Sequence, residues 1–118
     1  MVSDLLGMIL NCIGGIVSIS YASEKLYTAV ITLAGVPSRF RDRLRLAINE
    51  VLLVEPGRDL PEDLRVEFDE MIEQIMDIKR NMPLKDDIEL FDMAKKIVAM
   101  FVKIERKYDF IIDKESDY

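Results

Sequence analysis

Four carboxylates have a spacing that could do chemistry: Glu70-x-x-Glu73, followed by Glu89-x-x-Asp92. Residues three apart on a helix share a face. Two such pairs on successive helices could meet and hold a hard cation such as magnesium on a nucleotide phosphate. Nothing else in the chain offers comparable chemistry. There is no histidine, which removes the commonest general acid–base, the commonest metal ligand and the usual activator of a serine or cysteine nucleophile. Cys12 is the single cysteine. It can form no internal disulfide, offers zinc only one soft ligand, and lies in an apolar run with no basic neighbour to favour the thiolate. No glycine-rich phosphate loop is present.

The ExxE…ExxD pattern resembles the signature of the all-α nucleoside-triphosphate pyrophosphohydrolases, the MazG-like family. The resemblance covers residues 70–92 and implies metal binding by Glu70, Glu73, Glu89 and Asp92. The residues themselves read differently. At 100° per residue, Glu70 and Glu73 turn away from the Leu64, Phe68 and Ile75 face of their helix. Asp92 turns away from Leu90, Ile97 and Phe101, toward Lys96 and Lys103. That arrangement reads as a solvated acidic face, so the expectation is a non-enzymatic chain with no metal and no cofactor.

The elements that would position these side chains are helical throughout. A chain of 118 residues is one domain by length, and with half its residues apolar it can build a sizeable core. No strict alternation and no Asn-Gly or Asp-Gly hairpin signal occurs. Gly and Pro divide the chain into four helical segments. The first runs from Ser3 or Asp4 to Ala34 and stops at Gly35-Val36-Pro37. The second runs from Ser38 to Val54 on a stripe of Phe40, Leu44, Ala47, Ile48 and Val51. EPGRDL (55–60) reads as a turn. The third helix, Pro61 to Asn81, is the clearest amphipathic one, with Leu64, Phe68, Met71, Ile72, Ile75, Ile78 and Met82 opposite Glu67, Asp69, Glu70, Glu73 and Asp77. The fourth runs from Asp86 to Ile112 on Leu90, Phe91, Ala94, Ile97, Val98, Phe101 and Ile104, widened by Met93 and Met100. The expected fold is all-α: a single-domain four-helix bundle over 1–112, with a polar C-terminal tail at 113–118.

The first helix is the unusual one. Leu5–Ser23 carries no charge, in a chain where 32% of residues are charged. Gly14-Gly15 inside it predicts a bend or a close-packed neighbour, and Gly14, Ser18 and Ala22 form a small-residue stripe that permits close approach. A helix this long and apolar outruns the shorter ones. A second copy of the chain is the expected cover, through Leu6, Ile9, Ile13 and Ile16 with Met93 and Met100. A membrane is the alternative, since about 20 apolar residues span a bilayer. No basic stretch precedes the run, so it does not read as a signal peptide. A single cysteine fits a cytoplasmic setting.

Charge sorts the remaining functions. The net charge is −6 and concentrates in residues 61–118. Nucleic-acid affinity comes from neutralised phosphates, so nucleic acid is not an expected partner. Arg39, Arg41, Arg43 and Arg45 alternate along the second helix. They read as long stems snorkelling over apolar surface or as a site for an anion or acidic partner, with the acidic face of the third helix as the internal counterpart. The methionines of the third and fourth helices read as core filler or as a groove for an apolar ligand or a partner's helix. The expected function is a small regulatory, inhibitory or immunity-type interaction module. It would self-associate as a homodimer and meet a basic protein through Glu67, Glu70, Glu73 and Asp77.

Overall fold

Gly35, Pro56, Pro61 and Asp86 each stand at a helix end. The computed structural model describes the backbone of residues 2–116 and the side chains of residues 19–113. Helix α1 spans Val2–Gly35, α2 Phe40–Val51, α3 Pro56–Asp59, α4 Glu62–Asn81 and α5 Asp87–Ser116; a 3₁₀ turn at Met82–Leu84 joins the last two. No strand occurs among the described residues. The fold is all-α, as expected, with five helices rather than four. The extra one is the expected Pro-Gly turn, which winds into a single helical turn as the Arg58 and Asp59 amides donate to the Glu55 carbonyl. The fourth expected helix continues past Ile112 to Ser116. Asp86 caps it, accepting the Glu89 amide at 2.8 Å.

Two of the alternating arginines, Arg41 and Arg43, close helix ends rather than the acidic face of the third expected helix. Gly35 ends α1 without a left-handed residue, since no described glycine has positive φ. α1 has no basic residue in its own last turn. Arg43 of α2 supplies the cation, donating from Nε to the Leu33 carbonyl at 2.9 Å and also to the Ser38 carbonyl. Arg41 donates to the carbonyls of Met82 and Lys85 at 2.9 and 2.8 Å and to Asp87 at 3.0 Å. It thereby ties α2 to the junction of α4 and α5.

α5 runs between α1 and α4, antiparallel to both. Ser23 donates to Glu105, and the rings of Tyr27 and Phe101 lie 6.1 Å apart. On the other flank, Lys107 meets Asp63 at 3.0 Å, Lys103 meets Glu67, and Lys96 meets Gln74 at 2.6 Å. α2 contacts all three of these helices, and α3 bridges α1 and α4. Leu26, Leu44, Ile48, Phe68, Ile75, Leu90, Ile97 and Ile104 fill the space between. Ala22 and Ala29 are fully buried, and α1 packs most closely against α5 and α2. Part of the expected small-residue stripe therefore permits close approach; Gly14 and Ser18 lie outside the described side chains.

α1 is unbroken through Gly14-Gly15. Its 34 residues reach about 51 Å at 1.5 Å each, close to the 59 Å long axis of the whole chain. The pairs Ser23–Glu105 and Tyr27–Phe101 match each step along α1 with one step back along α5. That register sets Ser116 level with position 12, so Val2–Asn11 run on past the end of α5.

The α5 stripe is rotated from its expected centre. Met93 and Met100, expected on a self-association surface, are in the core at 2% and 3% exposure. Phe91 and Val98, expected inside, face outward. The reason is α5's two flanks. Lys96, Lys103 and Lys107 bind α4 on one side while Glu105 and Phe101 meet α1 on the other, so the inward direction falls between them, on the methionine side.

Candidate functional site

α4 carries the acidic face, and α5 takes up part of it. Glu67 is held by Lys103, and Asp77 by Lys85 at 2.7 Å. Hydrogen bonds from Lys85 and then Asn81 hold the Asp77 carboxyl below its ordinary range, and the Asp77 bond in turn raises Lys85. Glu70 and Glu73 are exposed and make no described ion pair, as is Asp69 beside them. Of the four expected partner-binding acids, two are therefore engaged within the chain and two face solvent. Exposed pairs of this kind contribute about 0–1 kcal/mol each, so the ladder mainly sets how α4 lies on α5.

The ExxE…ExxD carboxylates separate between two shallow grooves. Glu73, Glu89 and Asp92 line one, of about 430 Å³, together with Asp77, Lys85 and Lys96. Glu70 lines the next, with Glu67, Gln74 and Met100. Three of the four thus share a groove, which the helical wheel did not anticipate. Lysines stand among them, and among the described residues no three acidic side chains are placed to hold one metal ion.

A face that periodicity did not single out lies along α1 and α5. Tyr27 is 55% and Ile31 50% exposed on α1; Val98 and Val102 are exposed on α5. The helix register sets Phe101 level with Tyr27, so Val102 and Val98 lie within one residue of the levels of Tyr27 and Ile31. The side chains of Leu6, Ile9, Ile13 and Ile16, the expected self-association residues, lie outside the described set. Val98 belongs to the expected core stripe of the last helix, and Val102 to no expected stripe. Among the described residues no helix is long and apolar enough to cross a membrane; Leu5–Ser18 falls outside that statement.

Comparison with protein-family models, curated proteins and solved structures finds no match.

One buried charge anchors the frame. Asp59 is 3% exposed. Its carboxylate accepts the Glu55 amide at 2.8 Å and two bonds from Arg58 at 2.8 and 3.0 Å. The Arg58 guanidinium lies 5.5 Å from the Tyr21 ring of α1, which fastens α3 to that helix. Burial pushes the Asp59 carboxyl up, but the bonds from Arg58 and the Glu55 amide outweigh it and hold it below its ordinary 3.8. A carboxyl lowered by folding contributes stability above about pH 4, which is lost as pH falls through its folded value. Asp59→Ala is expected to lower unfolding free energy at pH 7 by about 1–3 kcal/mol, and the gap from wild type should narrow below pH 4. Urea titrations at pH 7 and pH 3 check this; a gap of equal size at both would show that the carboxylate charge is not what stabilises α3.

Proposed function

We propose that this protein is a non-enzymatic helical interaction module that associates with a second copy of itself along α1 and offers the outer face of α4 to a basic protein. The observation that supports it most is the exposed apolar face of Tyr27, Ile31, Val98 and Val102, with α1, uncharged from Leu5 to Ser23, continuing beyond the end of α5. Scattered apolar residues are normal on a surface, but neighbouring ones on two packed helices, with an apolar extension, mark an interaction site. A two-fold arrangement covers such a face with its own copy.

A lipid surface is the second reading, favoured by the uncharged run Leu5–Ser23. Sedimentation over a hundredfold range of protein concentration, with a parallel flotation assay on phosphatidylcholine vesicles, separates the two. The proposal expects a reversible shift toward twice the chain mass and no flotation. A mass fixed at one chain throughout would overturn it, and flotation in that case would favour lipid.

On the acidic face of α4 between Glu67 and Asp77, Asp69, Glu70 and Glu73 are the acids left for a partner. Charge complementarity acts through association rate and falls with salt. A partner bound there should weaken with added salt and on the double change Glu70→Lys, Glu73→Lys. Capture that is equal at low and high salt would remove α4 from the reading.

A further inference from the structure

The N-terminal ends of α2 and α5 enclose a second apolar surface, distinct from the α1–α5 face. Phe40 and Phe91 stand 6.3 Å apart and, with Ile88, form a groove of about 640 Å³. Ile88 is 72% and Phe91 54% exposed, and Leu84, 84% exposed, precedes Ile88 by four residues. Its charges are unbalanced. Arg41 and Asp87 on the rim pair with each other. Arg39 and Lys95, also on the rim, meet no described carboxylate; Lys95 lies over the Phe91 ring at 4.9 Å. Asp92 is the remaining acid. Elsewhere most arginines and several lysines are committed to carboxylates or carbonyl groups: Arg43, Arg58, Lys85, Lys103 and Lys107 among them. The groove thus joins apolar walls to two cations without a described carboxylate, in a chain of net charge −6.

We infer that this groove docks an acidic peptide segment of another protein, with a bulky apolar side chain seated against Phe40, Ile88 and Phe91 and flanking carboxylates on Arg39 and Lys95. Charge complementarity selects that occupant. A basic segment would meet unpaired cations, and a neutral apolar one would leave those cations without partners when it covers them. The size suits one anchor and its neighbours, since pockets for compact ligands run from about 300 to 1,000 Å³.

Selection of a random peptide display library on the full chain tests this. The expected result is enrichment of peptides carrying Asp or Glu beside Phe, Leu, Ile or Trp. The best of these, made synthetically, should bind at least tenfold more weakly to Arg39→Glu, Lys95→Glu and to Phe91→Ala. Both sets of changes lie on exposed side chains, and circular dichroism confirms that the fold is kept. The charge reversal should leave the sedimenting mass unchanged, which separates this groove from the α1–α5 face. No enrichment, enriched peptides without acids, or binding that survives the charge reversal would each overturn the assignment. So would loss of self-association on charge reversal, which would make a second copy the occupant.

Discussion

Under the proposed two-fold association, the double change Tyr27→Lys, Val98→Lys is expected to leave only single chains while keeping the fold intact. Both side chains are substantially exposed, at 55% and 41%, so within one chain little is lost beyond the contact of Tyr27 with Phe101. In a two-fold complex the change appears twice, setting four ammonium groups into an apolar contact. A cost of about 1.4 kcal/mol for each is a tenfold step in affinity, or about 10⁴ for the four. Val66→Lys is the matched control. Val66 is more exposed still, at 69%, but stands on α4, and its replacement should not alter the sedimenting mass. If both variants associate like wild type, the α1–α5 face is not the contact.

The sequence made most of this architecture legible, for identifiable reasons. The third expected helix was read on the right face: Leu64, Phe68, Met71, Ile75, Ile78 and Met82 are buried and Ile72 is half-buried against them. Seven apolar residues on one side and five acids on the other leave only one orientation. The boundary signals at Gly35-Val36-Pro37 and Pro61-Glu62 also marked real ends. What periodicity could not resolve was α5. Its apolar residues occupy more than half the helix circumference, so any centre within that arc fits the pattern equally well. Only the partners fix the direction, through lysines that bind α4 and Glu105 and Phe101 that meet α1. The arginines of α2 were unreadable for a different reason. Their acceptors are backbone carbonyls of Leu33, Met82 and Lys85, groups that every residue carries and no side-chain pattern marks. Asp59 in EPGRDL likewise looked like turn chemistry, because its burial depends on Arg58 and Tyr21 arriving together.

The ambiguity in α5 supplies a direct comparison of two phenylalanines that sequence alone placed on equal footing. Phe68 is fully buried, the largest side chain so enclosed, while Phe91 is 54% exposed. Phe68→Ala is expected to cost about 3–5 kcal/mol, from lost transfer of the ring and from the cavity left where α4 meets the core. Domains of this size are stable by about 5–15 kcal/mol. The variant should therefore melt about 10–20 °C lower, at about 4 °C per kcal/mol, and show a partly unfolded baseline if the wild type lies near the lower bound. Phe91→Ala removes the same atoms from the groove rim, where water already reaches half the ring. Its cost is limited to the contacts with the Phe40 ring and the exposed Lys95 ammonium, about 0.5–1.5 kcal/mol. Denaturant titrations of the two variants should thus differ by at least about 1.5 kcal/mol with unchanged slope. Equal losses would mean that the groove is closed in solution and that Phe91 belongs to the core after all. A small loss for Phe68 would mean that α4 is held to α5 by its lysine ladder rather than by packing. The first result would remove the peptide groove, and the second would recast the acidic face as the element that keeps α4 in place.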